Sequence, residues 1–206
     1  MKGRHRWLVA AAWVALVAAG FGYMLVYEAT PGAEHPAPQM WPAPTAVKLS
    51  AKQPTLLMFI HPKCPCSRAS IDELAKLMTR GQGLVEAHVL FTRPKGESDD
   101  WVKSDLWRSA AAIPGVSVQV DEGGRIAQQF GANTSGRVVL YDPKGQLAFS
   151  GGITESRGHA GDNEGLDAVI ALLHHKAPLV VTTPTYGCAL TSALCLTNST
   201  VSISRP

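Results

Sequence analysis

Apolar positions fall into two regimes along the chain. From Trp7 to Tyr27 the run WLVAAAWVALVAAGFGYMLVY holds no charge, and that length crosses a bilayer as a helix. Beyond Val47 the pattern changes to short apolar blocks alternating with amphipathic ones. Thr55–His61 (TLLMFIH), Leu84–Thr92 and Val116–Val120 are compact enough for buried strands. Ser67–Arg80 carries Ile71, Leu74, Leu77 and Met78 at helical spacing, and Gly81 ends it. Ser98–Ile113 is expected as one further helix, closed by Pro114 and Gly115, and GGRIAQQFG as a short one. Arg137–Tyr141 and Gln146–Ser150 flank the turn signal DPKG and form an antiparallel hairpin. Asp162 or Asn163 caps a last helix that runs through His175 on Leu166, Val169, Ile170 and Leu173. Strand–helix units followed by a hairpin and a helix predict an α/β fold, a mixed sheet flanked by helices.

The segments outside that pattern set the expected organisation. Residues 1–6 form a basic leader with Lys2, Arg4 and Arg6, and residues 7–27 a transmembrane signal anchor. VYEATPGAE offers only a poor cleavage site, so the anchor is expected to stay. Basic residues precede the span and none follows closely. This puts the N-terminus in the cytoplasm and the single-pass chain's domain on the extracytoplasmic, periplasmic side of the inner membrane. Residues 28–46, rich in Pro and Ala, are expected as a semi-extended tether, residues 47–178 as the folded domain, and residues 179–206 as a polar, cysteine-containing tail.

Charge narrows the partners. The formal net charge of +3 matches the contribution of Lys2, Arg4 and Arg6, so the rest is near neutral and leaves no basic footprint for a nucleic acid. Cys64, Cys66, Cys188 and Cys195 would lie where disulfides persist, and four cysteines allow three full pairings.

Chemistry concentrates at FIHPKCPCSRASIDEL, Phe59–Leu74, where a strand empties into two cysteines and a helix. A helix N-terminus offers unpaired N–H groups and a positive dipole end, both of which stabilise a thiolate. Pro65 suits an early helical position, and Lys63 and Arg68 add positive charge. Cys64 is therefore the candidate nucleophile. A one-residue spacing would make a Cys64–Cys66 disulfide tight and easily reduced. Cys188, in TYGC, is a second candidate resolving thiol, and it could equally pair with Cys195. His61, at the strand's end, and His159, in the Gly-rich SRGHAGDN, could tune the thiols or bind a metal.

The order of elements together with CPCSRAS resembles the thioredoxin-like superfamily, in its membrane-tethered extracytoplasmic form, over about Val47–Lys176. Setting Cys64 on the first family cysteine matches Pro65, Arg68 and Ala69, and puts Ser67 where the second cysteine stands. Gly136, with Ser135 before it, falls where the family has a proline facing the cysteines. HPKCPCSRAS, GANTSG and GGITESRGHAGDNEG look like a bacterial RedB-type thioredoxin-like subgroup. The resemblance implies a thiol–disulfide oxidoreductase without a bound cofactor, acting on client protein thiols or disulfides and reset by a redox partner. In that picture Cys64 attacks, Cys66 or Cys188 resolves, Arg68 holds the thiolate and Ser67 donates a hydrogen bond to it. The alternative is a copper chaperone on the same fold, with Cys64, Cys66 and His61 or His159 binding Cu(I), a soft ion suited to thiolates.

Overall fold

The computed structural model describes residues 2–191, so Cys195 lies outside the described residues. The chain divides after Thr30 into two units. The first is a single helix, α1 (Lys2–Ala29), within which Arg4–Ala29 is long and apolar enough to cross a membrane. Its large apolar side chains, from Trp7 to Tyr27, stand exposed.

The second unit is built on five strands: β1 (Thr55–Ile60), β2 (Glu86–Arg93), β3 (Val116–Glu122), β4 (Arg137–Tyr141) and β5 (Leu147–Gly152). Their order in the sheet is β3-β2-β1-β4-β5, with β1, β2 and β3 mutually parallel and β4 and β5 antiparallel to their neighbours. The helices are α2 (Ser67–Arg80), α3 (Asp99–Val102), α4 (Asp105–Ala111), α5 (Arg125–Gln129) and α6 (Glu164–Leu173). The mixed sheet flanked by helices is what the element order predicted, and its arrangement is thioredoxin-like, as the resemblance implied.

Every residue of β1 is buried because both faces of the sheet are covered. Alternate side chains leave a strand on opposite faces. Leu56, Met58 and Ile60 meet Ile71, Leu74 and Leu77 of α2 and Leu166 and Val169 of α6 in one core cluster. Leu57 and Phe59 join Phe130, Val139 and Tyr141 in the other. This two-sided burial explains why β1 reads as a continuous apolar run rather than an alternating one.

Two segments outside the predicted strands and helices pack against the domain. The stretch read as a tether lies along the second face, where α5 is only five residues long and leaves apolar surface uncovered. Ala37 is buried there, as is Val47 at the start of the domain, and the Trp41 ring meets Phe130 and Tyr141 edge-on at centroid distances of 5.0 and 5.2 Å. Backbone bonds from Trp41 N to Gly145 O (2.8 Å) and from Leu147 N to Gln39 O (2.9 Å) hold it, and the half-buried Glu34 pairs with the buried Arg137 at 2.5 Å. The second segment, from Val181, runs beside β5: Ser150 N donates to Val181 O (3.1 Å) and Gly152 N to Pro184 O (3.1 Å). Because β5 is the sheet's edge strand, its free backbone groups supply partners for that return.

The expected helix over Ser98–Ile113 is broken into α3 and α4 at Ser104. Ser104 is extended (φ −71°, ψ 178°), and its hydroxyl accepts the Trp107 N–H, so it starts a new helix instead of continuing the old one. At α6 the cap is Asn163, whose Oδ1 accepts the Leu166 N–H at 2.8 Å, and the helix ends at Leu173, two residues before His175.

Candidate functional site

Beyond Ile60 the chain turns tightly. Cys64 N donates to His61 O (3.0 Å), Ser67 N to Cys64 O (3.2 Å) and Arg68 N to Pro65 O (3.3 Å). Helix α2 starts at Ser67 with Cys66 at the N-cap, so Pro65 lies before the helix and not within its first turn as expected. Cys64 is thereby tucked beneath the helix start, with a residue exposure of only 1%.

What covers it is the segment that follows α6 and returns beside β5. The sulfurs of Cys64 and Cys188 are 2.9 Å apart and share a hydrogen bond, and the Cys188 N–H points at the Cys64 sulfur at 3.4 Å. Both cysteines are free thiols. Cys188 is fixed by its backbone: Ser135 N donates to Cys188 O (2.8 Å) and Leu190 N to Asn133 O (2.8 Å), a short antiparallel pairing centred on Thr134 and Ala189.

The thiols divide electrostatically. Burial by itself would raise the Cys64 thiol, but hydrogen bonds from Cys188 and Ser67, through side chain and backbone N–H alike, hold it below the usual thiol range. Burial pushes Cys188 up to about 12, and its hydrogen bond to Cys64 and the charge there add to the effect. Cys66 is raised as well, by burial and then by the Cys64 charge. One thiol of the three is set to ionise first.

Ser67 is buried, and its Oγ lies 2.6 Å from Ser135 Oγ, which also accepts the His61 N–H at 2.7 Å. The two serines tie the start of α2 to the segment before β4. Gly136 follows with φ +94°, a left-handed value closed to proline, and a Cβ there would lie 2.7 Å from Ser70 Oγ. The position that faces the cysteines in the resemblance is thus held by a glycine turn and a serine hydroxyl.

Arg68, expected to hold the thiolate, is instead ion-paired to Asp105 on α4 with its side chain 55% exposed. The cation brought to the neighbouring thiols is Arg157. It donates to Gly187 O and its charge works on both Cys66 and Cys188. It lies in the same Gly-rich stretch that drew attention to His159, and a cation in that stretch was the available signal. His61 accepts the Lys63 N–H through Nδ1 (3.2 Å) and meets the Trp101 ring edge-on at 5.4 Å. Burial and the Lys63 charge keep its imidazole below the ordinary histidine range. His159 is exposed. Among the described residues, no group of three or more His, Cys, Asp or Glu side chains is placed to hold a metal ion.

Fold and site together define a thioredoxin-like domain with a buried pair of unlike thiols at the start of its first long sheet-packed helix. Among solved structures it is similar to a hypothetical protein from Sinorhizobium meliloti (20% identity, TM-score 0.55), the match covering 79% of this chain and 93% of that one. An uncharacterized conserved protein from Geobacillus kaustophilus is similar to the same degree (17% identity, TM-score 0.57, covering 80% and 93%). A secreted disulfide oxidoreductase of Mycobacterium tuberculosis matches more remotely, at 18% identity and TM-score 0.44 over 60% of this chain and 84% of that one. No protein-family model and no curated protein matches the sequence.

Proposed function

We propose that this protein is a membrane-tethered thiol–disulfide oxidoreductase acting on extracytoplasmic protein thiols, with Cys64 and Cys188 as its redox couple. The observation that carries this reading is the 2.9 Å contact between a buried, low-pKa thiol and a second thiol brought from 124 positions away. A disulfide needs its sulfurs about 2.0 Å apart, so little movement separates the pair from a bond. Helix α1 supplies the tether, and the basic residues before it favour a cytoplasmic N-terminus with the domain outside.

In the exchange, the Cys64 thiolate attacks a client disulfide, forming a Cys64–client mixed disulfide and releasing one client thiolate. Cys188 then loses its proton to solvent and attacks the Cys64 sulfur. The second client sulfur leaves as a thiolate, and the Cys64–Cys188 disulfide remains. Two electrons pass to the client, and a dithiol partner returns them; the reverse sequence oxidises a client dithiol. Cys66, which the sequence offered as first resolver, stands beside the couple as a third thiol with a raised pKa.

Mass-tag alkylation of the full chain in graded thiol–disulfide buffers, read by peptide mapping, tests this. Reversible loss of two thiols at Cys64 and Cys188 is expected, and the midpoint potential reports whether the protein donates disulfides or reduces them. If no reversible bond forms while Cu(I) shields Cys64 and Cys66 together from alkylation, the redox reading fails and the copper-chaperone reading replaces it.

A further inference from the structure

The segment over Cys64 is held in an unusual way for a surface loop. It uses the same groups that an incoming chain would use. Asn133 O and Ser135 N are backbone groups at the mouth of the site, and both are satisfied by Leu190 N and Cys188 O. Cys188, which supplies that carbonyl, is delivered onto the Cys64 sulfur. Its neighbours are constrained on either side. At Gly187 a Cβ would run into Ser135 O, so only the smallest residue fits directly before the cysteine. Two positions after it, Leu190 is 3% exposed and packs in the cluster of Ile126, Phe130 and Ala37. The occupant therefore has a readable pattern: small, Cys, any residue, large apolar.

From this we infer that the Asn133–Ser135 backbone edge beside Cys64 docks an extended client segment of the pattern small–Cys–x–apolar, and that the chain's own Gly187–Leu190 is its resident occupant. The inference rests on the exchange reading above and adds to it the client's local chemistry and a gate. A client strand adds to the edge by backbone pairing while its side chains fill the two flanking positions. It must displace Gly187–Leu190 to do so, because both need the same N–H, the same carbonyl and the same approach to the sulfur. That displacement is local. The segment's holds include two backbone pairings, the side-chain and N–H contacts of Cys188 with Cys64, an Arg157 bond and a buried leucine, whereas β1 is paired along its length on both sides. Weakly held segments open at lower cost than the core. After a client's disulfide is attacked, the same segment swings back and its Cys188 resolves the mixed disulfide, ejecting the client from the edge.

The test uses the reduced full chain in detergent and synthetic peptides whose single cysteine is linked as a mixed disulfide to thionitrobenzoate. Attack by Cys64 on the peptide sulfur forms a Cys64–peptide disulfide and releases coloured thionitrobenzoate, and mapping confirms the site. Gly187→Val, which cannot keep the pairing to Ser135, is expected to react about tenfold faster than the parent, since a site only partly free binds in proportion to its free fraction. In that variant a Gly-Cys-Ala-Leu peptide should outpace Val-Cys-Ala-Leu and Gly-Cys-Ala-Asp peptides by about tenfold each. Equal rates for Gly187→Val and the parent, or no discrimination among the peptides, overturn the inference. Failure of Cys64 to release thionitrobenzoate from any peptide in either protein overturns the oxidoreductase reading itself. Amide exchange on the unaltered protein gives a check that needs no variant: the Leu190 and Ser135 amides should exchange at least about tenfold faster than those of β1. Protection equal to β1 overturns the gate.

Discussion

Replacing Ser67 by alanine isolates what lowers the Cys64 thiol. Ser67 is buried at 1% exposure and, with Cys188, it is one of the two residues whose hydrogen bonds offset the burial of Cys64. A hydrogen bond to a charged group contributes about 1.5–3 kcal/mol, and one pKa unit corresponds to about 1.4 kcal/mol. Three donors remain after the change: the Cys188 thiol and the backbone N–H groups of Ser67 and Cys188. The low end of that range therefore applies, and Cys64 should rise by about one unit. At any pH below the Cys64 pKa the thiolate fraction then falls about tenfold, but a more basic thiolate is the better nucleophile, with a Brønsted slope of about 0.4–0.5. The net expectation is a loss of about three- to fourfold in alkylation rate at Cys64. Iodoacetamide kinetics across a pH series, resolved at Cys64 by peptide mapping, give both the pKa and the limiting rate. Ser135→Ala, which leaves the Ser67 donor in place, should move the curve less. An unchanged or lower Cys64 pKa in Ser67→Ala would refute the assignment of its hydroxyl as a donor to the sulfur.

Further outcomes follow from the same geometry. Cys188→Ser should abolish the reversible intramolecular bond and accumulate a Cys64–client mixed disulfide, whereas Cys66→Ser should still form the bond; gel-shift trapping separates the two. Arg137→Met leaves the half-buried Glu34 without its cation and also removes the bond to Ser150 Oγ at 2.6 Å. Glu34, already raised to about 7 by burial, is free to take up a proton, so the loss should fall below that of a fully buried pair. Losing one member of a fully buried pair costs about 3–5 kcal/mol, and the smaller loss here is readable as a fall in urea midpoint. Stability should also depend on the thiols in opposite directions. Cys64, lowered in the folded state, contributes stability that is present above the unfolded thiol value near 9 and is lost as pH falls. Cys188, raised to about 12, keeps its proton when folded and loses it when unfolded, so stability falls as pH climbs from about 9 to 12. Denaturation across that window should show a shallower decline for Cys188→Ala.

Much of the architecture was legible because hydrophobic periodicity reports burial directly. Helix α2 and strand β4 run over the residues the pattern predicted, and the hairpin turn at DPKG joins β4 to β5. The errors have local causes. Ser104 competes as an N-cap inside a stretch whose apolar spacing reads as one helix. Trp41 and Ala37, scattered among prolines, show no period because they pack as single anchors against an existing face. Arg68 looked placed for the thiolate by its nearness in sequence, yet the helix turns it toward Asp105.

Local pattern therefore determined the α/β class, the apolar N-terminal helix and the placing of Cys64 at a strand-to-helix junction, since each depends on residues within a few turns of one another. The partner of Cys64 did not. Cys66 is two positions away and Cys188 is 124, and nothing in sequence distance ranks them. The choice is made by an exposed sheet edge at β5, which draws the returning chain along it, and by the Asn133–Ser135 backbone, which pairs with that chain and sets Cys188 over the buried sulfur. Those hydrogen bonds join groups that every residue carries, so no side-chain pattern announces them, and only the folded sheet brings them together.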